Sequence, residues 1–304
     1  MKKTRTISLA PVADLSGEMQ DFSPVSIAIG PQNEWCFLLV REYPPLIGGS
    51  FPSTVTKEQY HYKVIIMKGN EKKVIDLPDE KWNYHYVQTI DDDQVLLAGA
   101  RSYYHDADHI EKNARVYTSA GQCIRSFCLG DGIQDLYVTD SNTIWTSYFD
   151  EGVFGNYGWD EPIGSKGLIH WDAFGRQLEW HDPKGEHYID DCYAMNIVSN
   201  EEVWFYYYSD FHIGVRVEGH TDYYVPDVKG ANLFAVKENM LLMDGGYGNH
   251  DGFYELKRKG SRYRTQKHIR FIKPNGVAIR SSARSNRGNQ LLFLDGTEVY
   301  YYEI

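Results

Sequence analysis

The sequence predicts an all-β protein made of repeated small sheets, and three observations lead there. Helical periodicity is nearly absent: no stretch of a dozen residues keeps apolar positions at i, i+3, i+4 and i+7 without a Gly, Pro or β-rich interruption. A polar turn followed by a short, strongly apolar run recurs as PQNEWCFLLV, DDDQVLLAGA, DSNTIWTSYF, SNEEVWFYYY, KENMLLMDGG and RGNQLLFLDG. With Glu34, Gln94, Thr143, Glu202, Met240 and Gln290 as equivalent starts, the spacings are 60, 49, 59, 38 and 50 residues. That is the period of a propeller blade with insertions, a WD40-like repeat in the broad sense. The expected fold is a six-bladed β-propeller of four-stranded blades, one domain over residues 1–304.

Each apolar run has a strand before it and usually two after it. Blade 1 is read as strands at 25–29, 34–41, 61–67 and 73–77, and blade 2 as 84–90, 94–101, 114–118 and 123–129. Blade 3 takes 136–139, 143–149, 167–171 and 177–181, and blade 4 takes 194–198, 203–208, 214–218 and 222–226. Blade 5 follows at 233–236, 240–243, 253–257 and 263–269. Blade 6 has only 276–280, 290–294 and 299–302 before the chain ends, so residues 4–9, TRTISL, are expected to supply its missing strand. A closed ring needs such a seam, because an unpaired sheet edge is a liability. Two domains are the competing organisation, but no Pro/Gly/Ser-rich linker or composition shift marks a boundary.

Composition narrows the function classes. Aromatic residues reach 14 %, which suits sheets and ligand-facing surfaces. The formal charge of −11 argues against general nucleic-acid binding, which needs a positive field. No run approaches the roughly 20 apolar residues of a membrane span, and the start MKKTRTISLAPVADLSGEMQ lacks the apolar core of a secretory signal. A cytoplasmic protein is expected. Cys36, Cys123, Cys128 and Cys192 show no CxxC and no metal spacing, so they read as free thiols of a reducing compartment.

The loops from second to third strand surround one mouth of such a channel, and they are unequal. Blades 1, 2 and 3 carry long ones at 42–60, 102–113 and 150–166, while blades 4, 5 and 6 have only 209–213, 244–252 and 295–296. The long loops are rich in His, Asp, Tyr and Trp, which favours a ligand face over tolerated insertions. Tyr103, Tyr104, His105, Phe154, Tyr157, Trp159, Phe211 and Tyr247, with Asp210, are the expected ligand-binding residues; alternatively, some of these rings pack beneath their own loops. Asp150, Glu151, His212 and His250 are the candidates for general acid–base work or for holding Ca²⁺, against a plain solubilising rim. His105, Asp106, Asp108 and His109 in HDADH suit a divalent ion chemically, but their spacing matches no metal motif and a solvated loop is the preferred reading. No cofactor is called for; a divalent metal such as Ca²⁺ is the one considered.

One basic stretch stands against the acidic background, comprising Lys257, Arg258, Lys259, Arg262, Arg264, Lys267, His268 and Arg270. On a hairpin such residues blunt an exposed edge, and the alternative is an anion or nucleic-acid patch. No GxGxxG, Walker A, HExxH, GxSxG or EF-hand loop is present.

The segment IWTSYFDEGVFGNYGW…PIGSKGLIHWD, residues 144–172, resembles one found in uncharacterised bacterial proteins predicted to be β-propellers. The resemblance is sharp over this blade alone; it implies the fold and supplies no catalytic residues. Six-bladed propellers of the lactonase and strictosidine-synthase-like kind hold a channel metal through Glu, Asn and Asp. That ligand set cannot be placed on this chain, so their activity is not carried over. The expected function is a non-catalytic propeller binding a protein or small molecule through the loops of blades 1–3. The alternative is a hydrolase or lyase on a sugar, lactone or ester.

Overall fold

A computed structural model describes residues 4–91, 93–182 and 186–304. The chain divides into two compact units, one of residues 18–191 and the other of residues 1–17 with 192–304. The first unit holds three antiparallel four-stranded sheets, each with its strands side by side in chain order. They are Ser23–Ile29, Trp35–Val40, Val55–Lys68 and Glu71–Trp82; Tyr86–Ile90, Gln94–Ala98, Ala114–Thr118 and Cys123–Phe127; and Ile133–Val138, Ile144–Tyr148, Leu168–Trp171 and Gln177–Trp180.

The second strand of each sheet is a continuous apolar run because both its faces are covered. Ala98 and Leu96 pack with Ile144, Ile169 and Trp171 of the next sheet, while Val95 and Leu97 pack with Leu38 and Val64 of the preceding one. Each such aliphatic side chain contributes about 1.5–3 kcal/mol by burial. The turns leading into these strands put Asn33, Asp91 and Asn142 at φ of 62°, 54° and 60°. Asn and Asp tolerate that left-handed region, which is why a polar turn precedes these three apolar runs.

In the second unit, the strand Asp191–Ile197, whose first residue still belongs to the first unit, forms one antiparallel run with Glu202–Tyr208, His212–Val217 and His220–Pro226. Phe234–Lys237, Met240–Asp244, Gly252–Lys259 and Arg262–Ile272 form another, and the two join edge to edge in a nine-stranded sheet. The basic hairpin lies here, and its outer edge is covered rather than bare. Val225 and Pro226 pair in parallel with Arg262 and Tyr263. Thr4–Ser8 pairs in parallel with the stretch from His268 to Ile272. Arg264 and Lys267 are moreover ion-paired, at 3.0 Å to Asp227 and 2.9 Å to Glu255.

Two expectations are corrected in the last sheet. The predicted strand 4–9 does not enter it; the pairing with Arg262–Ile272 takes that segment, and Ala13–Asp14 instead pairs with Glu298 and Val299. The predicted strand 276–280 is also displaced, and the strand that pairs with Gln290–Asp295 is Ala283–Arg287. Its sequence ARSNR has no apolar pattern. It is buried by satisfied polar groups: Asn286 donates to the carbonyls of Met195 and Phe234 at 3.1 and 2.8 Å. The long loops are also more ordered than predicted. Residues 55–60 extend a strand, Leu46–Ile47 pairs with Phe51–Pro52, Tyr104–Asp106 pairs with His109–Ile110, and Asp150–Phe154 is a helical turn. Among the described residues no helix is long and apolar enough to cross a membrane.

Candidate functional site

The three long loops meet within the first unit, and Arg101 is the residue they close over. It leaves the second strand of the second sheet with only 4 % of its surface exposed. A guanidinium cannot be buried unpaired, and the fork is met by Asp131 through Nε at 2.9 Å and Nη2 at 2.7 Å. Nη1 reaches Glu151 at 2.5 Å. The Asp131 carboxylate also accepts the Ser102 amide at 2.8 Å. Burial pushes its carboxyl above the usual range, and Arg101 opposes that shift. His85 lies nearby, its Nδ1 accepting the Ala100 amide. Burial lowers it to about 4, so it is a neutral ring at pH 7.

Above the guanidinium lies Tyr157, with Arg101 Cζ 3.8 Å from its ring centroid. The Tyr157 hydroxyl donates to the Pro52 carbonyl at 2.7 Å, which ties the blade 3 loop to the blade 1 loop. Trp159 Nε1 donates to the Ser102 carbonyl at 2.7 Å, and the Tyr104 amide donates to the Tyr157 carbonyl at 2.9 Å. Those bonds tie the same loop to blade 2. Two glycines permit the approach: Gly152 packs with no room for a side chain, 2.6 Å from the Asp131 carbonyl to where a Cβ would lie, and Gly132 faces it.

Among the expected ligand residues, Trp159 is 7 % exposed and packs against Tyr104, so it fastens the loop rather than offering a ring. Tyr157 is half-buried in the same role. Phe154, at 67 % exposure, and Tyr103 present their rings outward, and Phe51, which the sequence reading passed over, joins them. His105 stacks on Tyr103 with centroids 4.6 Å apart. Asp150 is exposed at the start of the helical turn, beside Asp191, whose carboxyl is pushed up to about 6 by burial and then by Asp150.

The HDADH residues do not converge. His109 pairs with Asp106 at 2.8 Å, whereas His105 turns to Glu111 at 3.6 Å, and the Asp108 amide bonds back to Asp106. Among the described residues, no three His, Cys, Asp or Glu side chains are arranged to hold a metal ion. His212, His250, Asp210 and Tyr247 belong to the other unit, so Asp150 and Glu151 do not share a compact unit with the two histidines. There His250 Nδ1 lies 3.3 Å from the fully buried Asp244, which is paired with Arg284 at 2.7 Å. Tyr247 bonds through its hydroxyl to Tyr193 at 2.7 Å, and both rings pack against Phe211. Asp210 is exposed on the turn beside Phe211. Arg101 and Asp131 escaped the sequence reading because each stands alone at a strand end. The usable signal was an Arg directly after an apolar run and an Asp between two glycines.

No protein-family model and no curated protein matches the chain. Solved structures do. YCF48 bound to D1 peptide superposes with a TM-score of 0.50 at 10 % identity, over 98 % of this chain and 96 % of that one. The gluconolactonase XC5397 of Xanthomonas campestris superposes at 0.48 and 13 %, over 98 % and 97 %. The C-terminal WD40 domain of Sif2 superposes at 0.43 and 9 %, over 99 % of both chains. At 10 % identity the likeness to YCF48 concerns fold alone, and with the sheets described above it makes the chain all-β and propeller-like.

Proposed function

We propose that the chain is a binding propeller that takes a protein or small-molecule ligand on the joined loops of blades 1–3, without catalysis. The observation that carries this is the layer tied over Arg101, where three loops from different sheets are fastened by side-chain and backbone bonds. A fastened layer presents Phe51, Tyr103 and Phe154 at little further entropic cost, which is what recognition by exposed rings needs. On this reading residues 1–304 form one domain of six blades, with Ala13–Asp14 completing the last sheet. The test is a pull-down with Phe51, Tyr103 and Phe154 changed to Ala together. Partners or ligand should be lost while the melting temperature holds, and unchanged capture would overturn the reading.

A second reading, hydrolysis or lysis of a sugar, lactone or ester, rests on Asp191 beside Asp150. A carboxyl raised to about 6 by burial, with a second carboxyl beside it, is a proton donor near neutral pH. A substrate panel with and without Ca²⁺ tests it: turnover lost in Asp191→Asn supports it, and no turnover on any member removes it.

A further inference from the structure

One sheet face in the second unit is left open by its neighbour. The final sheet ends in Ala13–Asp14, two residues that pair only with Val299 and Glu298. Strands Gly252–Lys259 and Arg262–Ile272 pack their inner ends against that sheet, where Phe253, Ile269 and Phe271 meet Phe293 and Tyr300. Beyond this contact the same face runs on into solvent.

Register decides which side chains stand there, because directly paired residues share a face and alternate along each strand. The rows on this face are Phe253 with Ile269, Glu255 with Lys267, Lys257 with Arg264, and Lys259 with Arg262. The two outer rows are therefore all cationic. One carboxylate reaches them, Asp227, at 3.0 Å from Arg264 and 4.0 Å from Arg262. Glu255 and Lys267 neutralise each other at 2.9 Å. Among the described residues, Lys257 and Lys259 pair with no carboxylate. Blunting a bare edge does not account for them, since their strand is an interior one, flanked by Met240–Asp244 and Arg262–Ile272. Beside the Glu255 row the face deepens into a cavity of about 200 Å³, with Met240, Leu242, Ile269 and Tyr302 in its wall beside Arg5. Glu303 lines it too, already bonded to Asn289 at 2.9 Å and Tyr301 at 3.0 Å.

Spacing selects the ligand. Side chains on one face of a strand recur at about 6.6 Å, and so do the same-side side chains of any extended peptide. Carboxylates at alternate positions of such a peptide meet the Lys259–Arg262 and Lys257–Arg264 rows in step, and the next same-side residue arrives at the cavity. Duplex DNA offers a phosphate about every 3.4 Å along each strand, which does not match. The cationic rows also carry no ring on which single-stranded bases could stack.

We infer that this face docks an extended acidic peptide segment, with carboxylates at two alternate positions and an apolar residue at the next. It belongs to the other compact unit from the loop layer and does not depend on it.

Fluorescence-polarisation titration of the intact protein with a labelled, capped Glu-Thr-Glu-Thr-Leu peptide tests it, at about 0.15 M salt, where diffuse attraction is screened beyond about 8 Å. Saturable one-to-one binding is expected. Glu-Glu-Thr-Thr-Leu has the same composition but points its carboxylates to opposite sides, and it should bind about fivefold more weakly. Lys257→Gln with Lys259→Gln, both exposed, should weaken binding about tenfold with melting unchanged. Lys81→Gln, exposed in the other unit, should change nothing. Absence of saturable binding, equal affinity for the two peptides, or equal affinity in wild type and the double variant would overturn the inference. So would a short single-stranded oligodeoxynucleotide that binds more tightly than the peptide.

Discussion

The Arg101 guanidinium lies 3.8 Å from the centroid of the Tyr157 ring while Asp131 grips its Nε–Nη2 edge through two hydrogen bonds of 2.9 and 2.7 Å. One buried cation therefore serves both as the partner of a buried carboxylate and as the floor on which the blade 3 loop rests. The ring contributes about 1–2 kcal/mol as a partly desolvated cation–π contact. Its larger effect is positional, because the same residue's hydroxyl reaches Pro52 in another loop.

Arg101→Met should destabilise the protein by about 3–5 kcal/mol, because Asp131 would remain buried without its counter-charge. Adding Asp131→Asn should recover part of the loss. Chemical denaturation of both single variants and the double variant gives the coupling; additive losses would show that the pair does not act as a unit.

Gly152 lies inside the helical turn Asp150–Phe154, where Ala ordinarily gains about 0.5–1 kcal/mol. Here the added methyl would meet the Asp131 carbonyl at 2.6 Å and the Gly132 carbonyl at 2.7 Å. Overpacking of about 1–3 kcal/mol outweighs the propensity gain, so Gly152→Ala should lower the melting temperature. A neutral or stabilising effect would mean that the turn can lift away from Asp131.

Asp191 gives a pH dependence with a definite sign. Its folded value of about 6 lies above the roughly 3.9 of an unfolded chain, so the folded state holds the proton more tightly. Its contribution is fully present below about pH 4 and is lost as pH rises through 6. Asp191→Asn should therefore raise the melting temperature at pH 7.5 and change it little at pH 4; an equal gain at both pH values would exclude a titrating carboxyl as the cause.

Asn286 tests the strand that the sequence concealed. Asn286→Ala removes the donor to the Met195 and Phe234 carbonyls, and the cost should be about 2–3 kcal/mol in denaturant. The strand at residues 276–280 was expected because VAIR carries the apolar pattern, whereas ARSNR carries none. Its burial depends on contacts with Met195, about 90 residues away in the chain, which no local pattern can display.

The same distinction explains the rest of what was legible. The interior strands were visible because burial on both faces forces an apolar run after a turn residue such as Asn33 or Asn142. The length and unevenness of the loops were visible too. The role of Trp159 was not, since a ring that packs under a loop and a ring that faces solvent have the same letter. The segment 4–9 was correctly read as a strand but given the wrong partner: period and propensity specify that a strand forms, and its register is settled by competing edges.

The proposed binding face is the set of rings Phe51, Tyr103 and Phe154 that the fastened loop layer presents. It is tested most directly by quantitative pull-down with the triple Ala variant of those rings, set beside Trp159→Ala and matched for folded fraction. The triple variant should lose its bound species with an unchanged melting temperature. Trp159→Ala should lose stability first and binding only in proportion. Full binding by a folded triple variant would contradict it.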